Sequence, residues 1–220
     1  RGMRLILAIN VGAAFGLAAL SVPIVRLLFE YGNFNKNNCE ATSTLLVLFA
    51  IAMPFYAMIS IGTRALNVAG QTKVTLIAAI HALVVNAVGS LVAVWMGKGV
   101  EGLALANAIS TIWQYLVLRH YLKKHAPEFL TESLLKPAFQ VIIGSVILAI
   151  ISFKVYFFLH TIMIGQITEK LNLIVSMGVA GIAGMVFYAI YLDKLGYPER
   201  DLLRGYANKV LRFFGVQLKA

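Results

Sequence analysis

Tyr56, Ser60, Arg64 and Asn67 recur at steps of 4, 4 and 3 inside an otherwise apolar run. That spacing places them on one face of an α-helix. Asn86 and Ser90 stand one turn apart in the next apolar run, and Asn107, Ser110 or Thr111, and Gln114 repeat the pattern in the run after it. Hydroxyls, amides and a guanidinium of this kind bind polar groups and pass them along. In hydrocarbon such a face must meet another helix or water, because an unpaired polar group there costs on the order of several kcal/mol. Interhelical hydrogen bonding explains any one stripe alone, whereas three in succession point to a hydrated path.

Other chemistry is missing from the sequence. No acidic residue falls within the apolar runs, which removes a carboxylate relay and the paired aspartates that a polyprenyl-lipid enzyme needs. His81, His120, His125 and His160 lack metal-ligand spacing, and only His81 lies inside a run, where a buried histidine bonded to a neighbouring helix is expected. There is no Ser-His-Asp set and no phosphate-binding glycine loop. The single Cys39 rules out an internal disulfide framework and a Cys-rich metal site; it is expected to react with a thiol reagent from outside. An enzyme, a metal and a cofactor are therefore not expected.

The elements that must position these residues follow from composition. Of 220 residues 60% are hydrophobic and 13% charged, with a mean hydropathy of +0.83, too apolar to cover a soluble globule. Six windows approach the ~20 residues a membrane helix needs: Leu5–Val25, Thr44–Gly62, Val74–Gly97, Gly102–Leu118, Pro137–Leu159 and Leu171–Leu192. None alternates as a barrel strand would, so the fold class is an all-α polytopic bundle. Threading the chain through six spans leaves fourteen of its 19 Lys and Arg on one side and three on the other, with Arg26 and Lys154 at span ends. The positive-inside rule then puts both termini in the cytoplasm. The net charge of +10 is distributed between apolar runs, which argues against nucleic acid.

Local features add detail. Gly12 with Gly16, and Ser176, Ala180 and Gly184, permit close helix packing. Pro54 predicts a kink and a candidate hinge. Arg26 and Glu30, one turn apart, are suited to pair. Asn37 with Glu40 resembles a capping box for the second helix. Residues 199–220, with Leu203, Tyr206, Val210, Phe213 and Phe214 on one face and Pro198 in the first turn, read as a basic amphipathic helix on an anionic leaflet. Arg26, Arg64 and Lys154 are the cations in or near span ends that can reach a phosphate, although such side chains usually snorkel to headgroups. The chain begins Arg-Gly-Met with no signal-peptide pattern, and reads as the carboxyl-terminal piece of a longer protein. The expected divisions are 1–125 (four spans), 126–192 (two more) and 193–220 (a cytoplasmic tail).

Several of these motifs resemble one family. Pro23-Ile-Val-Arg26-Leu-Leu-Phe-Glu30-Tyr-Gly32-Asn-Phe34 is similar to the end of a mid-chain span in the MurJ (MviN-type) lipid II flippases. So are Pro54-Phe-Tyr56-Ala, Arg64-Ala-Leu-Asn-Val-Ala-Gly70-Gln-Thr72-Lys73 and Gly99-Val-Glu-Gly102-Leu-Ala-Leu-Ala106. They cover about residues 20–120, in the family's order.

The resemblance implies helices nine to fourteen of a fourteen-helix transporter, a partial second lobe, in the bacterial inner membrane. It implies translocation of undecaprenyl-diphosphate-linked peptidoglycan precursor by alternating access, with membrane lipids and the absent amino-terminal half as partners. The family's last two helices help form a groove for the lipid tail, and its main diphosphate contacts lie largely upstream. It leaves open coupling to membrane potential or to sodium. Asn86 matches a cation-holding pattern, whereas Ser90 stands where an acid is expected, which argues against that site. The alternatives are a flippase of another lipid-linked saccharide, a multidrug exporter of the same superfamily, or a non-transporting scaffold.

Overall fold

The computed structural model describes residues 2–30, 36–127, 135–165 and 168–199. Seven helices among these residues form one bundle: α1 (Gly2–Ala19), α2 (Ser21–Phe29), α3 (Lys36–Val68), α4 (Thr72–Trp95), α5 (Gly99–His125), α6 (Leu135–Ile162) and α7 (Glu169–Lys194). Large apolar side chains such as Leu83, Leu91, Phe157 and Ile182 point outward, the reverse of a water-soluble surface. The interior is built from small residues, Ala8, Ala52, Ala78, Ser145, Ser176 and Ala180 among them, which let helix backbones approach closely.

Three-residue connections make α3, α4 and α5 antiparallel neighbours. The first of these shows the local device. After Val68 the Gln71 N–H bonds back to Leu66 O at 2.8 Å and Gly70 N–H to Asn67 O at 3.0 Å, with Gly70 at φ 72°. This is a Schellman stop, and the left-handed residue it requires is supplied by glycine. Gly196 (φ 65°) repeats it after α7 and turns Tyr197 back into the bundle.

Packing falls into two cores. One joins Ala65 and Leu66 of α3, Val74 and Ala78 of α4, and Leu118 and Leu122 of α5. The other gathers Leu7, Ala8 and Val11 of α1 with Met58, Tyr115, Val141, Leu148, Tyr188 and Tyr197, so α1 is the rod against which both α3 and α6 lie.

The helices match the expected windows closely, with informative departures. The run Leu5–Val25 is not one straight span: α1 stops at Ala19 and α2 begins at Ser21, with Leu20 at φ −106°, ψ 14°. The cause is Pro23, which has no N–H for the Ala19 carbonyl four residues back and whose ring crowds it. Pro54 makes the same deletion at Ala50, yet α3 runs through it.

Among the described residues five helices are long and apolar enough to cross a membrane: α1, α3 from Asn38, α4, α6 from Lys136, and α7. The remaining long helix, α5, has 27 residues, about 40 Å at ~1.5 Å per residue. Its polar stripe and charged ends lower its hydropathy, so the span expected at Gly102–Leu118 is long enough but less apolar than the others.

Asn37, expected to cap the second helix, already lies within the first turn of α3. Two other expectations are corrected. His81 is exposed on α4, not buried. Cys39 is 5% exposed, packed within the first turns of α3, so it does not present its thiol outward. The amphipathic tail expected over 199–220 lies outside the described residues beyond Glu199.

Candidate translocation path

Two of the three polar stripes converge, and the third touches them through its first residue. The Tyr56 hydroxyl on α3 donates to Asn107 Oδ1 on α5 at 2.6 Å. The Asn107 carbonyl accepts from the hydroxyls of Ser110 and Thr111, both at 2.8 Å. Asn86 on α4 donates through Nδ2 to Ser110 Oγ at 3.4 Å, and Ser90 Oγ donates to Asn86 Oδ1 at 3.1 Å. The eight candidate path residues therefore divide into four at a three-helix node and four, Arg26, Ser60, Arg64 and Gln114, outside it. The node holds Tyr56, Asn107, Asn86 and Ser90, bridged by Ser110; Gln114 sits half-buried one turn beyond it on α5.

Ser60 and Arg64 continue from Tyr56 along the exposed face of α3, away from the node. Asn67, at the end of that face, accepts a hydrogen bond from Thr75 Oγ1 of α4 at 3.4 Å. An exposed polar strip on an apolar helix is suited to line a hydrated cavity. The node has no carboxylate, and the Asn86 amide and Ser90 hydroxyl bond one another. On its own it does not offer the negative, oxygen-rich cage that a hard cation takes.

Arg26 lies elsewhere, at the end of α2. Its Nε donates to Glu30 Oε2 at 2.8 Å, the pairing expected from the spacing, and its Nη2 reaches Glu169 Oε1 on α7 at 3.3 Å. The Glu30 hydrogen bond, more than any other influence, pushes the guanidinium pKa up from its ordinary value, so it stays charged. Lys154 is exposed on α6 and takes no part in either site.

Between α1 and α7 runs an apolar slot of about 590 Å³, lined by Gly12, Gly16 and Leu17 of α1, Leu148 of α6, and Met185 and Tyr188 of α7. The glycines of α1 make it possible: a Cβ on Gly12 would come within 2.9 Å of the Tyr188 ring. That ring crosses the slot, and its hydroxyl donates to Ala8 O at 2.8 Å. Just past α7, the Tyr197 hydroxyl donates to Arg4 O at 2.8 Å, and Arg4 lies 3.9 Å from the buried Glu199.

Sequence reasoning missed Glu169, Asn172, Tyr188 and Tyr197. Asn172 had a readable signal, since Asn172 and Ser176 repeat the one-turn polar spacing; Ser176 Oγ donates to Asn172 Oδ1 at 2.9 Å, and Asn172 Nδ2 to His160 O at 3.1 Å. The others pair across 143 to 193 residues, and no local pattern marks such partners.

A bundle of membrane-length apolar helices with a polar node, an exposed polar strip and a lateral apolar slot is the build of a polytopic membrane protein. Comparison with known families is specific: residues 1–176 match the family model described as Lipid II flippase MurJ, and the chain belongs to that family. Among its relatives are probable lipid II flippases MurJ of Bdellovibrio bacteriovorus, 28% identical over 60% of this chain and 25% of that protein, and of Thermotoga maritima, 29% identical over 64% of this chain and 29% of that protein. The lipid II flippase MurJ of Thermosipho africanus is 32% identical over 47% of this chain and 22% of that protein. The chain thus spans between about a fifth and a third of the length of these relatives. A solved structure of lipid II flippase MurJ, in an inward closed conformation, shares the fold at a TM-score of 0.68, with 22% identity over 88% of this chain and 38% of its own.

Proposed function

We propose that this chain supplies the carboxyl-terminal part of a transporter that moves lipid-linked peptidoglycan precursor across the bacterial inner membrane by alternating access. Membership of the MurJ family over residues 1–176 carries the reading. The geometry supports it in two ways. The exposed strip of Tyr56, Ser60, Arg64 and Asn67 gives a polar wall for a central path, completed by an upstream half that supplies the main diphosphate contacts. The slot between α1 and α7 is apolar along its walls and suits one prenyl chain, so the two ends of an amphiphilic cargo would travel in different places. Such a role requires no covalent chemistry from the chain; it binds, orients and releases.

In this reading both termini are cytoplasmic and six helices cross, α5 protected by α3 and α4 where its stripe would be costly in lipid. The node joining α3, α4 and α5 makes those helices move together, with Pro54 as the hinge above it. The test is depletion of the intact protein in growing cells with lipid II assayed at the outer face. Accessible lipid II should fall and peptidoglycan synthesis stop. Unchanged accessibility after full depletion refutes the proposal, and a defect confined to another lipid-linked saccharide would reassign the cargo.

A further inference from the structure

We infer that Arg26 is a gate residue for the α1–α7 slot, closing one mouth through Glu169, and that it is a positioning residue and not a contact for cargo phosphate. The inference rests on the reading of the slot as the path of a lipid tail.

Its basis is the architecture of the slot. Helix α6 packs closely against both α1 and α7 and forms the floor, while α1 and α7 themselves touch little. Two side-chain ties to α7 matter for the slot, one from α1 and one from α2. At one end the Tyr188 hydroxyl holds Ala8 O; at the other, α2 swings over to α7 and Arg26 holds Glu169. Along α7 these ties are 19 residues apart, about 28 Å at ~1.5 Å per residue, close to the ~30 Å of hydrocarbon. Leu20, at the α1–α2 break, and Ile24 of α2 line the slot, and Arg26 follows two residues later, which sets the ion pair just beyond the slot's α2 end. A tail leaving there with a headgroup attached must pass between α2 and α7.

The two ties are built differently. The Tyr188 bond is buried and neutral. The Arg26 bridge has one firm arm and one loose one: Nε stays on Glu30 of its own helix at 2.8 Å, while Glu169 keeps 70% of its side chain exposed. Releasing Glu169 therefore leaves neither an unpaired arginine nor a carboxylate stripped of water, and the penalty that makes buried pairs hard to break does not arise. Beside the pair lies a cavity of about 320 Å³ lined by Arg26, Glu169, His160 and Asn172. The His160 Nδ1 there is buried with no partner among the described residues, so a withdrawing guanidinium has both space and polar surroundings. Arg26 is also already paired with two carboxylates, Glu30 and Glu169, so its charge is matched before any diphosphate arrives.

The experiment uses the intact protein carrying Cys39→Ala. Spin labels at Leu28→Cys and Leu171→Cys, both exposed positions, report the α2–α7 spacing, and transport is followed in parallel. Arg26→Gln and Glu169→Gln should each add a longer-distance population, to the same extent. A short bismaleimide across Arg26→Cys and Glu169→Cys should stop transport, while either single cysteine with the same reagent stays active. If Arg26→Gln abolishes transport while Glu169→Gln matches the parent in rate and spacing, Arg26 touches cargo and the gate is refuted. Unchanged spacing in both variants, with the cross-linked protein active, also overturns the gate and leaves the slot reading intact. A widened spacing with an active cross-linked protein keeps the structural tie but shows that no tail leaves by this mouth, which refutes the gate as well.

Discussion

Gly184 provides the sharpest test of how α6 and α7 are joined. A Cβ built there overlaps Ser152 Oγ and comes within 3.3 Å of the Leu148 carbonyl oxygen and 3.4 Å of Leu148 Cγ. Ser152 is 1% exposed, so its hydroxyl has little room to turn away, and the carbonyl belongs to a helix backbone. Gly184→Ala must push the two helices apart, an overpacking cost of about 1–3 kcal/mol. The clash is mostly with one atom, and that atom can be deleted. Ser152 Oγ has no hydrogen-bond partner among the described residues, so Ser152→Ala alone should be neutral or slightly stabilising. Combined with Gly184→Ala it should recover more than half of the loss, leaving only the tight carbonyl contact. The measurement is the unfolding free energy of the purified intact protein in mixed micelles for parent, both single variants and the double variant. A coupling above ~0.5 kcal/mol is the range expected of residues in contact. If the double variant is as unstable as Gly184→Ala, the oxygen is not the obstacle and the described α6–α7 contact is wrong.

Three further outcomes are expected. Pro54→Ala should reduce transport more than abundance, because it restores a backbone donor at the proposed hinge; equal losses of both would assign Pro54 to folding. Cys39 should resist an impermeant maleimide in native membranes and label only on denaturation, and rapid native labelling would show that the start of α3 is open. Burial, reinforced by Glu199, pushes the Tyr197 phenol above its ordinary value of 10.0. Its neutral form is the one the fold holds, so its contribution is complete below pH 10 and is lost as pH rises through the elevated value. Tyr197→Phe, which removes the bond to Arg4 O, should cost about 1 kcal/mol at neutral pH, and its deficit against the parent should close in alkali. A constant deficit from pH 7 to 12 would refute a buried, neutral phenol.

The sequence alone carried the class of structure a long way. Apolar windows such as Val74–Gly97 and Leu171–Leu192 lie close to α4 (Thr72–Trp95) and α7 (Glu169–Lys194), because a helix in lipid satisfies its backbone within its own segment. Composition over twenty residues is then sufficient information. The Arg26–Glu30 pair was legible for the same reason, being one turn apart on a single helix. The break at Leu20 was less so: Pro23 was visible, but a proline three residues into a turn is tolerated in α2 while excluding α1 from continuing, and Pro54 interrupts nothing.

Partners across helices belong to the tertiary structure. Spacing assigned Tyr56, Asn86 and Asn107 to polar faces, yet a helical face has no preferred neighbour until the helices are packed. Only then do Tyr56 and Asn107 meet at 2.6 Å while Ser60 and Arg64, on the same face, remain exposed. Glu169 stands in the first turn of α7, where an acid favours the helix dipole; its pairing with Arg26 exists only because packing brings α2 across to it. What local chemistry determined was which segments cross and which faces are polar. Which of those faces meet, and where a slot is left open, depended on small residues letting some pairs of helices close while α1 and α7 stayed apart.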